Sequence, residues 1–263
     1  MKAEHQPTHF PPHVIAAISS RENGSMRYPP SDPEAATAMS RWLPAVGIDP
    51  KNTVGLLIKY GENRTYDTIT EIDEVPGHGA LEEDGWVEAD ALVTKKPNLA
   101  LLLPTADCNA TTIYDPEHDV IALVHLGWHS TVNNLAEKIV AYLADTHGTD
   151  PASLIVNFSP SIRRGSYIFD FLEQTGAIDY GGKPRWHSPA YATPRVDGKF
   201  DIDLISYNLD LLHESGVQAK NIGVANADTL KDKDYFSHQA RRHETEQHRA
   251  LGRFANVVMI GKR

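Results

Sequence analysis

A thiol and an imidazole each end an apolar run in this chain. The first run, Leu99-Ala-Leu-Leu-Leu-Pro-Thr-Ala-Asp-Cys108, closes on the only cysteine of the 263 residues, and the second, Val120-Ile-Ala-Leu-Val-His125, closes on a histidine. Clustered apolar residues followed by polar punctuation read as buried strands. Two adjacent strands ending in Cys108 and His125 would set a thiolate and an imidazole side by side at one sheet edge. That is the construction of a soft-metal site or of a Cys–His nucleophile. Either residue alone reads as ordinary interior, because an unpaired cysteine packs like a small apolar side chain. Their joint position is what points to chemistry.

The elements around them follow from pattern. Asp32-Pro33-Glu34 reads as an N-cap, an N1 proline and an acidic first turn, opening a helix that runs to about Leu43. Strands are expected at residues 54–59, 65–72, 89–94, 111–114, 154–158, 222–225 and 256–260. Val132, Leu135, Ile139, Tyr142 and Leu143 recur at helical spacing behind a Ser130 or Thr131 cap. Asp203 caps a further helix, with Ile205, Leu209 and Leu212 as its apolar stripe and Gly216 as its stop. Irregular alternation of helices with many strands predicts an α/β or α+β class with mixed β-sheets and flanking helices. One domain is expected over residues 31–263, behind a Pro-rich polar surface segment at residues 1–30.

Composition narrows the partners. A formal net charge of −10 argues against a surface that tracks nucleic-acid phosphates, yet leaves room for a small anionic substrate in a local pocket. Hydrophobic residues make up 41% of the chain, enough for a sizeable core. A single cysteine permits no internal disulfide. No apolar run reaches the roughly 20 residues that span a bilayer, and the first residues lack the apolar stretch of a signal peptide. A cytoplasmic protein without nucleic-acid or membrane partners is expected.

Several blocks, in order, resemble the YfiH-like laccase-domain family, described both as multicopper polyphenol oxidoreductases and as purine nucleoside phosphorylases with adenosine deaminase activity. Ala89-Asp-Ala-Leu-Val-Thr94 resembles the family's A-D-A-L-V-T, Thr105-Ala-Asp-Cys108 its T-A-D-C, and His125-Leu-Gly-Trp128 its H-A-G-W. Phe236-Ser-His-Gln-Ala-Arg241-Arg242, followed by Gly252-Arg253, resembles the F-F-S-x-R-R…G-R ending. The resemblance implies a single-domain α/β sandwich and one zinc held by two histidines and a cysteine, of which Cys108 and His125 match two. The third ligand departs from the pattern. Where the family writes Q-V-H-G, this chain reads Ile58-Lys-Tyr60-Gly61. His78, between two glycines downstream, is taken as the third ligand, with His129 and Tyr60 as competing positions.

The resemblance implies a zinc-dependent purine nucleoside phosphorylase-like enzyme acting on adenosine or inosine with phosphate, with deamination as a second activity. Zinc with three protein ligands keeps a fourth position open, where a bound water has its pKa lowered toward about 7. Hydroxide attack on C6 of adenine is the zinc-deaminase route. Phosphorolysis instead needs a phosphate cradle, expected at the helix start near Ser130 and Thr131. His129, Arg241 and Arg242 are expected to add positive charge as oxyanion partners. Asp107 is expected to orient a ligand or the substrate, and Tyr60 to contact it. Two alternatives stand beside this reading. One is a copper-dependent polyphenol oxidase, since thiolate and imidazole also suit copper, although the chain has no H-x-H pair. The other is a non-catalytic paralogue with a structural metal or none. His238, His243 and His248 lie among Arg241, Arg242 and Arg249, which would repel a cation, so that segment reads as solvated or anion-binding.

Overall fold

A strand that is apolar without alternation has to be covered on both faces. The two runs that carry Cys108 and His125 are of this kind, and their coverage dictates the architecture. The computed structural model describes residues 5–262 except 33, 63, 171, 173–175, 177 and 243–250. Pro33, His243, His248 and Arg249 therefore lie outside the described residues.

In chain order the elements are β1 (Val14–Ile18), α1 (Ala35–Ala45), β2 (Thr53–Leu57), β3 (Ile69–Glu71), β4 (Trp86–Glu88), β5 (Ala91–Thr94), β6 (Ala100–Thr105), β7 (Asn109–Asp115), β8 (Val120–Leu126), α2 (Trp128–Val132) and α3 (Leu135–His147). There follow β9 (Ile155–Phe158), β10 (Ile168–Phe169), β11 (Ile178–Tyr180), β12 (Lys183–Pro184), β13 (Ala192–Pro194), β14 (Phe200–Ile202), α4 (Leu204–Glu214), β15 (Ile222–Val224) and β16 (Phe254–Ile260). One sheet has the order β1-β16-β6-β2-β4 and a second the order β15-β9-β7-β8-β5-β3. Both are mixed: in the first, β2 runs parallel to β4 and β6 while β16 is antiparallel to β1 and β6, and in the second, β15–β9 and β3–β5 are parallel while β8 is antiparallel to β5 and β7.

Odd and even residues of one run serve different cores. In β6, Leu101 and Leu103 pack between the two sheets, and Ala100 and Leu102 pack toward α1. In β8, Ile121 and Leu123 face the other sheet, while Val120, Ala122, Val124 and Leu126 pack with α3 and α4. The result is four layers: α1, the five-stranded sheet, the six-stranded sheet, then α3 with α4. Each fully buried Leu or Ile of α3, such as Leu135, Ile139 and Leu143, contributes about 1.5–3 kcal/mol by leaving water. Mixed sheets with flanking helices are as expected. No helix among the described residues is long and apolar enough to cross a membrane.

Two local expectations are corrected. Residues 1–30 are not only a surface segment, because β1 pairs with β16 over Val14 to Ile18. The helix expected behind Ser130 is broken: Asn134 sits at φ 59°, in the left-handed region. Its side-chain oxygen accepts from Tyr207 Oη at 2.9 Å, which ties the break to α4.

Candidate functional site

β7 and β8 form an antiparallel pair with Asn109 opposite Leu126 and Ala110 opposite His125. That register places Cys108, just before β7, and Gly127, just after β8, at the same end of the hairpin. A Cβ built on Gly127 would lie 3.0 Å from Cys108 Sγ, 2.8 Å from His125 Cε1 and 3.1 Å from His125 Nε2. The thiol and the imidazole thus meet over the place where Gly127 has no side chain. Their meeting does not come from adjacent β6 and β8, which lie in different sheets. β6 delivers the chain to Cys108, and β7 then carries it across to pair with β8.

Burial pushes the Cys108 thiol up to about 12, helped by the negative charge of Asp107. Burial likewise pulls the His125 imidazole down to about 4, helped by His129 nearby. At neutral pH the two groups are therefore a thiol and a neutral imidazole rather than an ion pair: the imidazole offers a lone pair to a cation as it stands, and the thiol would have to give up its proton to bind one.

Asp107 fixes the turn that presents Cys108. It adopts φ 82°, a left-handed conformation that costs a non-glycine residue about 1 kcal/mol or more. The bonds it makes offset that cost. Its carboxyl accepts from Thr229 Oγ1 and from the Gln239 N–H, both at 2.7 Å, and its carbonyl accepts from the Ile162 N–H at 2.9 Å. Burial raises its pKa despite these donors.

The site opens on a cavity of about 510 Å³. The chain leaving β2 supplies Ile58 and Tyr60 to its wall, the chain leaving β6 supplies Ala106, Asp107 and Cys108, and β8 supplies His125. Trp86, Trp128 and Tyr167 add aromatic faces, and Arg27, Arg253 and His238 add cationic or polar ones. Tyr60 remains 64% exposed at the rim. A negative charge on the nearby Cys108 raises its phenol pKa.

Other expected residues stand elsewhere. His78 has a side chain 79% exposed, and its Nδ1 lies 2.7 Å from Asp84 Oδ2. The adjacent Gly79 packs on the carbonyl of Pro50, before β2 begins, whereas the cavity lies beyond the other end of β2. The structure therefore does not bring His78 to Cys108 and His125. His129 does not line the cavity but stays close behind it: its ring stacks on Tyr66 with centroids 4.4 Å apart, lies 6.2 Å from the Tyr60 ring, and acts electrostatically on His125. Ser130 is buried and spends its hydroxyl locally, donating to the His125 carbonyl at 2.6 Å and accepting from the Gly127 N–H at 3.0 Å. It holds the turn carrying His125. Thr131 is buried too and accepts from Asn208 Nδ2 at 2.8 Å. Neither lines the cavity, so the phosphate cradle expected at this helix start is not where the open space is. Arg241 and Arg242 are exposed at the end of a short 3-10 turn and also lie off the wall.

Arg27 and Arg253 are the cationic residues that the sequence reading did not assign. Arg253 had a signal, the Gly252-Arg253 pair of the matching C-terminal block. A Cβ on Gly252 would lie 2.2 Å from the Phe236 ring, so glycine is required immediately before this arginine. Arg27 had none.

The chain resembles several proteins of known name. It is 25% identical over 181 residues to the purine nucleoside phosphorylase YlmD of Bacillus subtilis, covering 67% of this chain and 62% of that protein. The chain thus spans less than two thirds of that relative's length. It is 29% identical over 232 residues to a protein of Corynebacterium glutamicum named purine nucleoside phosphorylase, covering 88% of this chain and 84% of that one. The solved structure of YlmD from Geobacillus stearothermophilus superposes with a TM-score of 0.78 at 18% identity, covering 100% of this chain and 98% of that one, and has the same fold. The family described as multi-copper polyphenol oxidoreductase laccase matches residues 35–261, and the chain belongs to it.

Proposed function

We propose that this chain is a purine nucleoside phosphorylase-like enzyme of the cytoplasm, acting on inosine and adenosine in the cavity beside Cys108 and His125. The observation that carries the reading is the convergence of that thiol and imidazole on the wall of a cavity of about 510 Å³, within the size range of small-molecule sites. The relatives named purine nucleoside phosphorylase support it. In phosphorolysis the C1′–N9 bond breaks, a C1′–O bond to phosphate forms, and the departing purine takes up a proton. The aromatic side chains on the wall, Tyr60, Trp86, Trp128 and Tyr167, suit a purine base.

The resemblance implies zinc, and the donors present fit it in part. Among the described residues no group of three His, Cys, Asp or Glu side chains is gathered for a metal. Cys108 and His125 would hold the ion, with the Tyr60 phenol on the same wall. When bound it would supply Lewis-acid polarisation of an oxygen at the substrate. Asp107 and Ser130 act by fixing the two turns that present these donors.

The test is incubation of the purified protein with inosine or adenosine, with and without phosphate, followed by chromatography of the bases and an ammonia assay. Hypoxanthine and adenine are expected only when phosphate is present, with pentose 1-phosphate as co-product. Ammonia from adenosine would add deamination. No free base from either nucleoside contradicts the reading and favours a binding protein.

A further inference from the structure

The cavity carries a positive wall in an acidic protein. The chain has a formal net charge of −10, yet Arg27, Arg253 and His238 line this space against one carboxylate among the described lining residues, Asp107. That carboxylate is already engaged by Thr229 and Gln239.

The two arginines are far apart in sequence and are brought together by backbone. Arg27 follows β1 and Arg253 precedes β16, and these strands pair as far as Ile18 opposite Asn256. The pairing continues beyond the strands: the Met26 N–H donates to the Arg253 carbonyl at 2.8 Å. Two guanidiniums are thereby held on one wall despite their mutual repulsion, which, after burial, lowers the Arg253 pKa. The same guanidinium acts through space on Cys108 and Tyr60, so it sits by the proposed reaction site. Burial, then the charge of Arg241, keeps His238 below its usual pKa, and a neutral imidazole can still donate one N–H.

We propose that Arg27 and Arg253 form a subsite for a doubly charged phosphate oxyanion within this cavity. A dianion relieves the repulsion between the guanidiniums and accepts charge-assisted hydrogen bonds from both, Arg253 also giving one Nη1 hydrogen to the Gly252 carbonyl at 2.7 Å. The subsite rests on the phosphorolysis reading only for the anion's role as co-substrate. It replaces the cradle expected at Ser130 and Thr131.

The experiment is isothermal titration of wild type, Arg253→Gln and Arg27→Gln with inorganic phosphate at constant ionic strength, repeated with inosine present and with inosine 5′-monophosphate as titrant. Wild type is expected to bind phosphate, and each variant to bind it about tenfold or more weakly, the size expected from losing charge-assisted hydrogen bonds. Should Arg253→Gln fail to fold by circular dichroism, Arg27→Gln on its partly exposed loop decides alone. No phosphate binding by wild type, or equal affinity in wild type and the folded variants, overturns the subsite. Simultaneous binding of inosine and phosphate identifies free phosphate as the ligand. Binding of the nucleotide with exclusion of phosphate, lost in the variants, identifies the phosphate of a nucleotide; it keeps the subsite and counts against phosphorolysis. Phosphate binding without any base release likewise supports the subsite and sinks only the enzymatic reading.

Discussion

The thiol of Cys108 and the imidazole of His125 share a single small space, the one left by the hydrogen side chain of Gly127. A methyl group there would lie 3.0 Å from the sulfur and 2.8 Å from the ring. This relationship is fixed by the β7–β8 register, which sets Ala110 opposite His125, and by Ser130, which bonds both the His125 carbonyl and the Gly127 N–H.

Gly127→Ala tests that geometry. The backbone at Gly127 has φ −91°, which alanine adopts without strain. The effect is therefore steric: sulfur and ring must part by a few tenths of an ångström. The variant is expected to fold with a loss of about 1–3 kcal/mol. Its kcat/KM is expected to fall about tenfold or more, because small misplacements at a reacting centre are costly. Steady-state kinetics beside a urea melt checks both, and unchanged kinetics would mean the pair plays no part.

Cys108 is the only cysteine, so its protonation can be followed cleanly. Burial raises its pKa to about 12 in the fold, against about 8.5 in the unfolded chain. The fold holds the proton more tightly, so this group's contribution to stability is complete below about pH 8.5 and is lost as pH rises from there toward 12. A disulfide reagent at pH 8 is expected to label the native protein slowly and the urea-unfolded protein fast. Equal rates would place the thiol in an open, ordinary environment.

Asp115 predicts the opposite pH behaviour. Burial alone would raise its carboxyl, but hydrogen bonds from Thr149, His118 and the Glu117 N–H prevail and hold the pKa below its usual value. A depressed folded pKa stabilises above the unfolded value of about 3.9 and is lost as pH falls from there through the folded value. Asp115→Asn is expected to lose about 1–3 kcal/mol at pH 7. The gap between variant and wild type should narrow below about pH 4, as read by denaturant unfolding at the two pH values.

Periodicity made much of this protein legible. The runs ending near Cys108 and His125 are strands, Asp203 accepts from the Ser206 N–H at the start of α4, and the family blocks pointed to a mixed sandwich. Most of what stayed hidden depends on contacts between distant residues. β1 is itself a five-residue apolar run, Val14–Ile18, that local pattern could have shown; the prolines and polar residues before it masked it, and its pairing with β16 fixes it as a strand. The break at Asn134 is stabilised by Tyr207 from another helix. Cys108 and His125 were legible as a pair, but not the β7 crossing that joins them. His78, flanked by glycines, resembled a mobile ligand, yet Asp84 and Pro50 hold its loop at the far end of β2. Arg27 and Arg253 converge through a strand pairing that spans nearly the whole chain, which no local pattern announces.

The central claim is that phosphate-dependent cleavage of a purine nucleoside takes place beside Cys108 and His125. The most direct measurement compares hypoxanthine release from inosine and phosphate by wild type, Cys108→Ala and His125→Ala, each confirmed folded by circular dichroism. The account predicts release by wild type and a loss of at least about 100-fold in kcat/KM for each variant, a deficit of about 2.7 kcal/mol in transition-state stabilisation. Release at equal rates by all three, or by none, would contradict it.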